Sequence, residues 1–190
     1  MGQYYHGVIL KKDFSKSYKT KKCEVNLSTY DFDEGAKLLE HSYFGNVYVS
    51  VYEYFLANKF YGFPFVWCGD YADDIRIYLG ETPIDDDKEF IPYDFKGEIE
   101  SIKTIPESKD YKYIINLSKK QFVDLEKCKL NSDIHPLPLL CSSGNGRGNG
   151  DYFSPIDAKK VGMWAYDCIG VGDSVPEGFE ELIVSFSEDY

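Results

Sequence analysis

Tyr4-Tyr5-His6-Gly7-Val8-Ile9-Leu10 is the stretch that sets the class of this chain. Aromatic and β-branched residues dominate it, which is the composition of a pleated, half-buried strand. A polar, lysine-rich stretch over 11–22 follows and reads as a hairpin tip, and Cys23-Glu24-Val25-Asn26-Leu27 reads as the return strand. Working outward, residues 33–40 have helical character, with Ala36, Leu39 and Tyr43 at helical spacing and Asp33 at the N-cap position. Gly45-Asn46 breaks that run. A second helix is expected over 47–60, where Val47, Val51, Tyr54 and Phe55 form a stripe with a period near 3.6.

The apolar run 63–68 reads as a buried strand closed by Gly69-Asp70, and 75–79 alternates well enough for another. Residues 80–110 hold Pro83, Pro92, Pro106 and the triplet Asp85-Asp86-Asp87 with little periodicity, so they are expected to form a long acidic, irregular excursion. A strand is expected over 111–117, then an extended arm or short helix over 119–129. His135-Pro136-Leu137-Pro138-Leu139-Leu140 is stiff and apolar and leads into a helical turn. Residues 161–171 and 179–186 are expected as a final hairpin joined through 173–177. No regular βαβ alternation appears. The expected fold is therefore α+β: one domain over 1–190, a mainly antiparallel sheet and two or three helices.

Charge and composition exclude several functions. The chain carries a formal net charge of -11, so nonspecific nucleic-acid binding, which runs on phosphate neutralisation, is not expected. The charge is uneven: residues 1–30 hold six lysines against Asp13 and Glu24, while 151–190 hold nine carboxylates against two lysines. An acidic surface favours solubility and also suits docking on a basic partner or mimicry of a nucleic acid. Aromatics reach 17%, which a disordered chain lacks. The five cysteines are odd in number, irregularly spaced and free of a C-x-x-C, so they fit reduced thiols better than a disulfide framework or zinc site. No secretory leader, myristoylation signal or apolar run of membrane length is visible. The expected location is the cytoplasm.

Two segments could carry chemistry. In Ser143-Gly144-Asn145-Gly146-Arg147-Gly148-Asn149-Gly150-Asp151-Tyr152, glycines alternate with polar residues. Such a backbone can curl into a nest of N–H groups around an anion. Arg147 would add a planar fork, and Asp151 would orient it or hold a ribose hydroxyl. The segment fits neither a Walker A loop nor a dinucleotide fingerprint. The second segment is Trp67-Cys68-Gly69-Asp70-Tyr71-Ala72-Asp73-Asp74, where clustered carboxylates could bind Mg²⁺ or Ca²⁺ or move a proton. Its W-x-x-D pattern recurs at Trp164-Ala165-Tyr166-Asp167. The candidate binding residues are thus Asn145, Gly146, Arg147, Gly148, Asp151, Tyr152, Trp67, Asp70, Asp73 and Trp164. Cys141, with His135 six residues upstream, is a weak candidate nucleophile. No catalytic residue is assigned, and nothing in the sequence requires a metal or cofactor.

Several pieces resemble a family of small phage and bacterial proteins to which no activity is attached. They are Met1-Gly2-Gln3-Tyr4-Tyr5, Lys37-Leu38-Leu39-Glu40-His41-Ser42, Val66-Trp67-Cys68-Gly69-Asp70-Tyr71-Ala72-Asp73, the 135–140 segment, and Gly144-Asn145-Gly146-Arg147-Gly148 with Gly150-Asp151-Tyr152. The resemblance runs from residue 1 to about 186 and is faintest over 80–110. It implies a phage or mobile-element context, in which small accessory proteins act against host defence by binding. The expected function is such an inhibitor, acting in the host cytoplasm on a basic protein partner or by sequestering an anionic, nucleotide-like ligand. The alternative is a small enzyme for a phosphorylated or nucleotide-like substrate, built from the 144–152 loop with Asp70 and Asp73. That alternative requires the two segments to meet in space.

Overall fold

The first hairpin forms as its residue types dictate. In a computed structural model of the chain, which describes residues 2–12, 23–72 and 110–187, Tyr5–Leu10 (β1) pairs antiparallel with Cys23–Asn26 (β2), Ile9 lying opposite Val25. The hairpin tip, the expected strand over 75–79, Asp73 and Asp74, and all of the acidic excursion but Asp110 lie outside the described residues.

On its other side β1 pairs antiparallel with Phe63–Gly69 (β3), Tyr5 facing Gly69 and Ile9 facing Phe65. Every residue of β3 after Phe63 is buried. Its continuous apolar run is what a strand covered on both faces needs. Tyr113–Asn116 (β4) and Gln121–Asp124 (β5) form a second hairpin. Ser142–Ser143 (β6) pairs parallel with Trp67 and Cys68 of β3. Cys168–Gly172 (β7) lies between β3 and β4, antiparallel to both, and Glu180–Glu181 (β8) pairs parallel with β5. The order is β2-β1-β3-β7-β4-β5-β8, an open and mostly antiparallel sheet, with β6 attached to β3.

Among the described residues four α-helices accompany the sheet, at Leu38–His41 (α1), Val47–Ala57 (α2), Leu125–Lys129 (α3) and Pro136–Leu140 (α4). The fold is α+β as expected. Asn46 starts α2 by accepting the N–H of Val49 at 3.2 Å. Tyr48, Tyr52, Phe55 and Leu56 of α2 bury in the main core with Phe65 and Trp67 of β3. Both readings of 119–129 hold in part, since β5 runs into α3, whose first turn is capped by Asp124. His135 caps α4, and Pro136 takes a first-turn position, where its missing N–H removes nothing.

Two expectations are corrected. Asp33 does not start a helix. It ends a 3₁₀ turn over Thr29–Phe32, with φ of 58°, and the α-helix begins only at Leu38. The last two strands do not form a hairpin, because β4 and β5 stand between them. Of the strand expected over 161–171, residues 161–166 are turns and only the part from Cys168 is strand. The N–H groups of Gly162 and Trp164 donate to the carbonyls of Leu139 and Leu140, which drives the Trp164 ring into the core.

Near β1 the tyrosines of α2 do structural work. The Tyr48 hydroxyl accepts from Gly7 N–H at 3.0 Å and donates to Leu27 C=O at 2.7 Å. The Tyr52 hydroxyl accepts from Leu27 N–H at 3.1 Å and donates to Gly7 C=O. Two phenols thus satisfy buried backbone at the junction of β1 and β2. A Cβ at position 7 would sit 2.6 Å from the Tyr52 ring, so only glycine fits there.

Candidate binding face at the glycine loop

Alternating glycines leave the 144–150 backbone free to adopt left-handed conformations, and Gly144, Gly146 and Gly150 do so with φ of 100°, 91° and 96°. The loop then closes on itself. One carboxylate oxygen of Asp151 accepts the backbone N–H groups of Gly146, Arg147 and Gly148 at 2.6, 2.7 and 3.0 Å. The other accepts the Tyr5 hydroxyl at 2.7 Å. Burial, reinforced by this hydrogen bond, pushes the Tyr5 phenol well above its ordinary pKa, so it stays a donor. Asn145 staples the loop base, accepting from Tyr152 N–H at 2.8 Å and donating to Tyr152 C=O at 3.1 Å.

The nest expected from the sequence therefore exists, but its occupant is internal. Asp151 is 3% exposed and neither orients Arg147 nor reaches outward for a ribose. Tyr152, also 3% exposed, packs edge-on against Phe186 and donates its hydroxyl to Ile156 C=O at 2.6 Å. Trp67 and Trp164 are fully buried, with indole N–H groups on His41 and Gln121. These four candidates are buried and none of them lies on the exposed face.

The two candidate segments do meet. Arg147 donates Nη1–H to Tyr71 C=O at 2.9 Å. The amino-terminal residues run between them: Gln3 N–H donates to Asn149 C=O at 2.8 Å, and Asp70 accepts Tyr4 N–H at 3.1 Å. The Gln3 side chain is fully buried at the space left by Gly69, Gly144 and Gly148, where a Cβ would collide with it. Tyr4, Asp70, Gly146, Arg147 and Asn149 are exposed and form a ledge, with Asn145 and Gly148 half-buried at its base.

Gln3, Tyr4 and Tyr5 are the members of this assembly that sequence reasoning missed as site residues. Their partners lie up to 146 positions away, and no local signal joins them. The suggested Cys141–His135 pair does not form a nucleophile and base. Cys141 is fully buried and its thiol is pushed well up by burial, while both ring nitrogens of His135 are engaged by Leu137 N–H and Glu53. Among the described residues no cluster of three or more His, Cys, Asp or Glu could hold a metal ion, and no helix is long and apolar enough to cross a membrane.

Comparison with protein-family models, with curated proteins and with solved structures returned no match for this chain.

Proposed function

We propose that this chain acts by binding, as an accessory protein of a phage or mobile element that blocks a host defence protein in the host cytoplasm. The docking surface is the ledge of Tyr4, Asp70, Arg147 and Asn149. The observation that carries this reading is the Asp151 carboxylate inside the loop. It takes the three N–H groups that would have held an external anion and stiffens the backbone that displays Arg147. A rigid loop loses little conformational freedom on docking. Tyrosine and arginine are the side chains that most often anchor protein interfaces. The net charge of -11 favours a basic partner.

Native mass spectrometry of the protein purified gently from a defence-bearing bacterium tests this. The expected result is an added protein mass that disappears on denaturation and in the variants Arg147→Glu and Tyr4→Ala, with thermal midpoints unchanged. Turnover of a nucleotide or ester by the pure protein would overturn it.

The contact between Arg147 and Tyr71 keeps one alternative open, a small enzyme for a phosphorylated or nucleotide-like substrate at the junction of the two segments. That enzyme would need Asp70 free to act, so Asp70→Asn would abolish any turnover detected.

A further inference from the structure

We infer that the cavity among α2, α3 and the start of β4 is a binding site for a small organic cation of the guanidinium or amidinium type. The cavity has a volume of about 380 Å³ and is lined by Phe44, Ser50, Glu53, Tyr111, Leu125 and His135, with two lysines and two carboxylates among its remaining residues. This volume suits a ligand of drug-fragment size.

The key group is Glu53. It is 8% exposed, yet its only partner among the described residues is His135, which donates Nε2–H to one oxygen at 3.0 Å. The other ring nitrogen of His135, Nδ1, accepts Leu137 N–H, which leaves the ring proton on Nε2. The imidazole thus holds Glu53 in place with a hydrogen bond. A buried carboxylate without a cationic partner is unfavourable, and a ligand cation would relieve that. Nearby, Lys129 is 3.7 Å from Asp110, and its Nζ lies 5.9 Å from the centre of the Phe44 ring. The lining as a whole holds three carboxylates (Glu53, Asp110, Glu126) against two lysines (Lys112, Lys129), an excess of one negative charge.

A planar cation fits better than an ammonium. It donates two parallel N–H groups to one carboxylate, stacks on aromatic faces and is less strongly hydrated. Phe44 and Tyr111 supply such faces, and Phe44 already packs on the His135 ring with centroids 4.7 Å apart.

Titration calorimetry of the full chain with benzamidine, agmatine and the uncharged isostere benzamide tests the site at low salt. Benzamidine and agmatine are expected to bind and benzamide to fail. Glu53→Gln and Phe44→Leu are each expected to weaken benzamidine by about tenfold or more. Because Glu53→Gln disturbs the contact with His135 and Phe44→Leu removes a ring packed on that imidazole, Tyr111→Leu is added as a lining variant outside this cluster, with a weakening of the same order expected. Amide shifts on benzamidine addition should centre on Ser50, Tyr111 and Glu126. Equal binding of benzamide, unchanged affinity in all three variants, or shifts elsewhere would overturn the proposal. An arginine side chain on a protein carries the same group, so a short arginine-containing peptide separates the sources. Binding of the peptide alone would overturn the small-ligand assignment, and binding of the small cations without the peptide would support it.

Discussion

Replacing Asp151 by alanine would leave three backbone N–H groups and the buried Tyr5 hydroxyl without their acceptor. Hydrogen bonds to a buried charge contribute more than neutral ones, so the expected loss is about 3–5 kcal/mol. Urea unfolding measures it. Trypsin gives an independent readout, because the loosened loop should be cut after Arg147 much faster than the native one. His41 makes a second prediction at this scale. Its Nδ1–H donates to Gly35 C=O at 2.8 Å, and its Nε2 accepts the Trp67 indole N–H at 2.8 Å. Burial lowers its pKa to about 4. An unfolded histidine titrates near ~6.5, so between ~6.5 and 4 the unfolded chain takes up a proton that the folded chain refuses. Stability is therefore full above that window and falls as pH drops through it, by about 3 kcal/mol for this residue. Comparing urea midpoints at pH 7.5 and 4.5 should show a smaller drop in His41→Gln than in the wild type. Burial lowers His6 in the same direction, so it adds to the slope of both proteins.

At the level of elements, the contact of α2 with β1 rests on Gly7. A methyl group there would meet the Tyr52 ring at 2.6 Å, and both phenols would lose their alignment with the backbone. Overpacking of this kind costs about 1–3 kcal/mol, and Gly7→Ala should show it as a lowered melting temperature with α2 still helical by circular dichroism. This is also where sequence reading succeeds and fails for physical reasons. The strands β1 to β4 were legible because aromatic and β-branched runs bounded by Gly, Asn and Asp state their own conformation. The helix α2 was legible from its helical spacing, but its inward face was not: Val47 and Tyr54 of the expected stripe are exposed, while Tyr48, Tyr52 and Leu56 are buried, and Asn46, read only as a break, is its cap. The stretch around Trp164 was not, because its apolar residues look the same whether they pair in a sheet or fill a core from a turn. Only the carbonyls of Leu139 and Leu140, more than twenty positions away, decide between the two.

For the whole molecule, the net charge makes a prediction about association. Docking on a basic partner should be steered by long-range attraction, so its on-rate is expected to fall by about tenfold or more as salt rises from low to physiological levels, with the off-rate little changed. Surface plasmon resonance separates the two rates once a partner is in hand, and a salt-independent on-rate would place the contact on the less charged ledge alone. The candidate face was half legible. The glycine loop and the strand end announced themselves through composition, and they do lie together. That a carboxylate from the loop's own end fills it was not readable, because an Asp beside a glycine-rich run has the same sequence whether it points in or out.

The position of β7 has one more consequence. A ribosome delivers residues in order, yet the strand that joins β3 to β4 follows every other described strand of the sheet except β8. Until Cys168–Gly172 leaves the exit tunnel, the two halves of the sheet have no strand between them, and each presents an unsatisfied edge. The two halves of the sheet are therefore joined only after β7 has emerged. A premature stop between Asp124 and Cys168 would leave the β2-β1-β3 strands and the β4-β5 hairpin unjoined and prone to self-association instead of a shortened working protein.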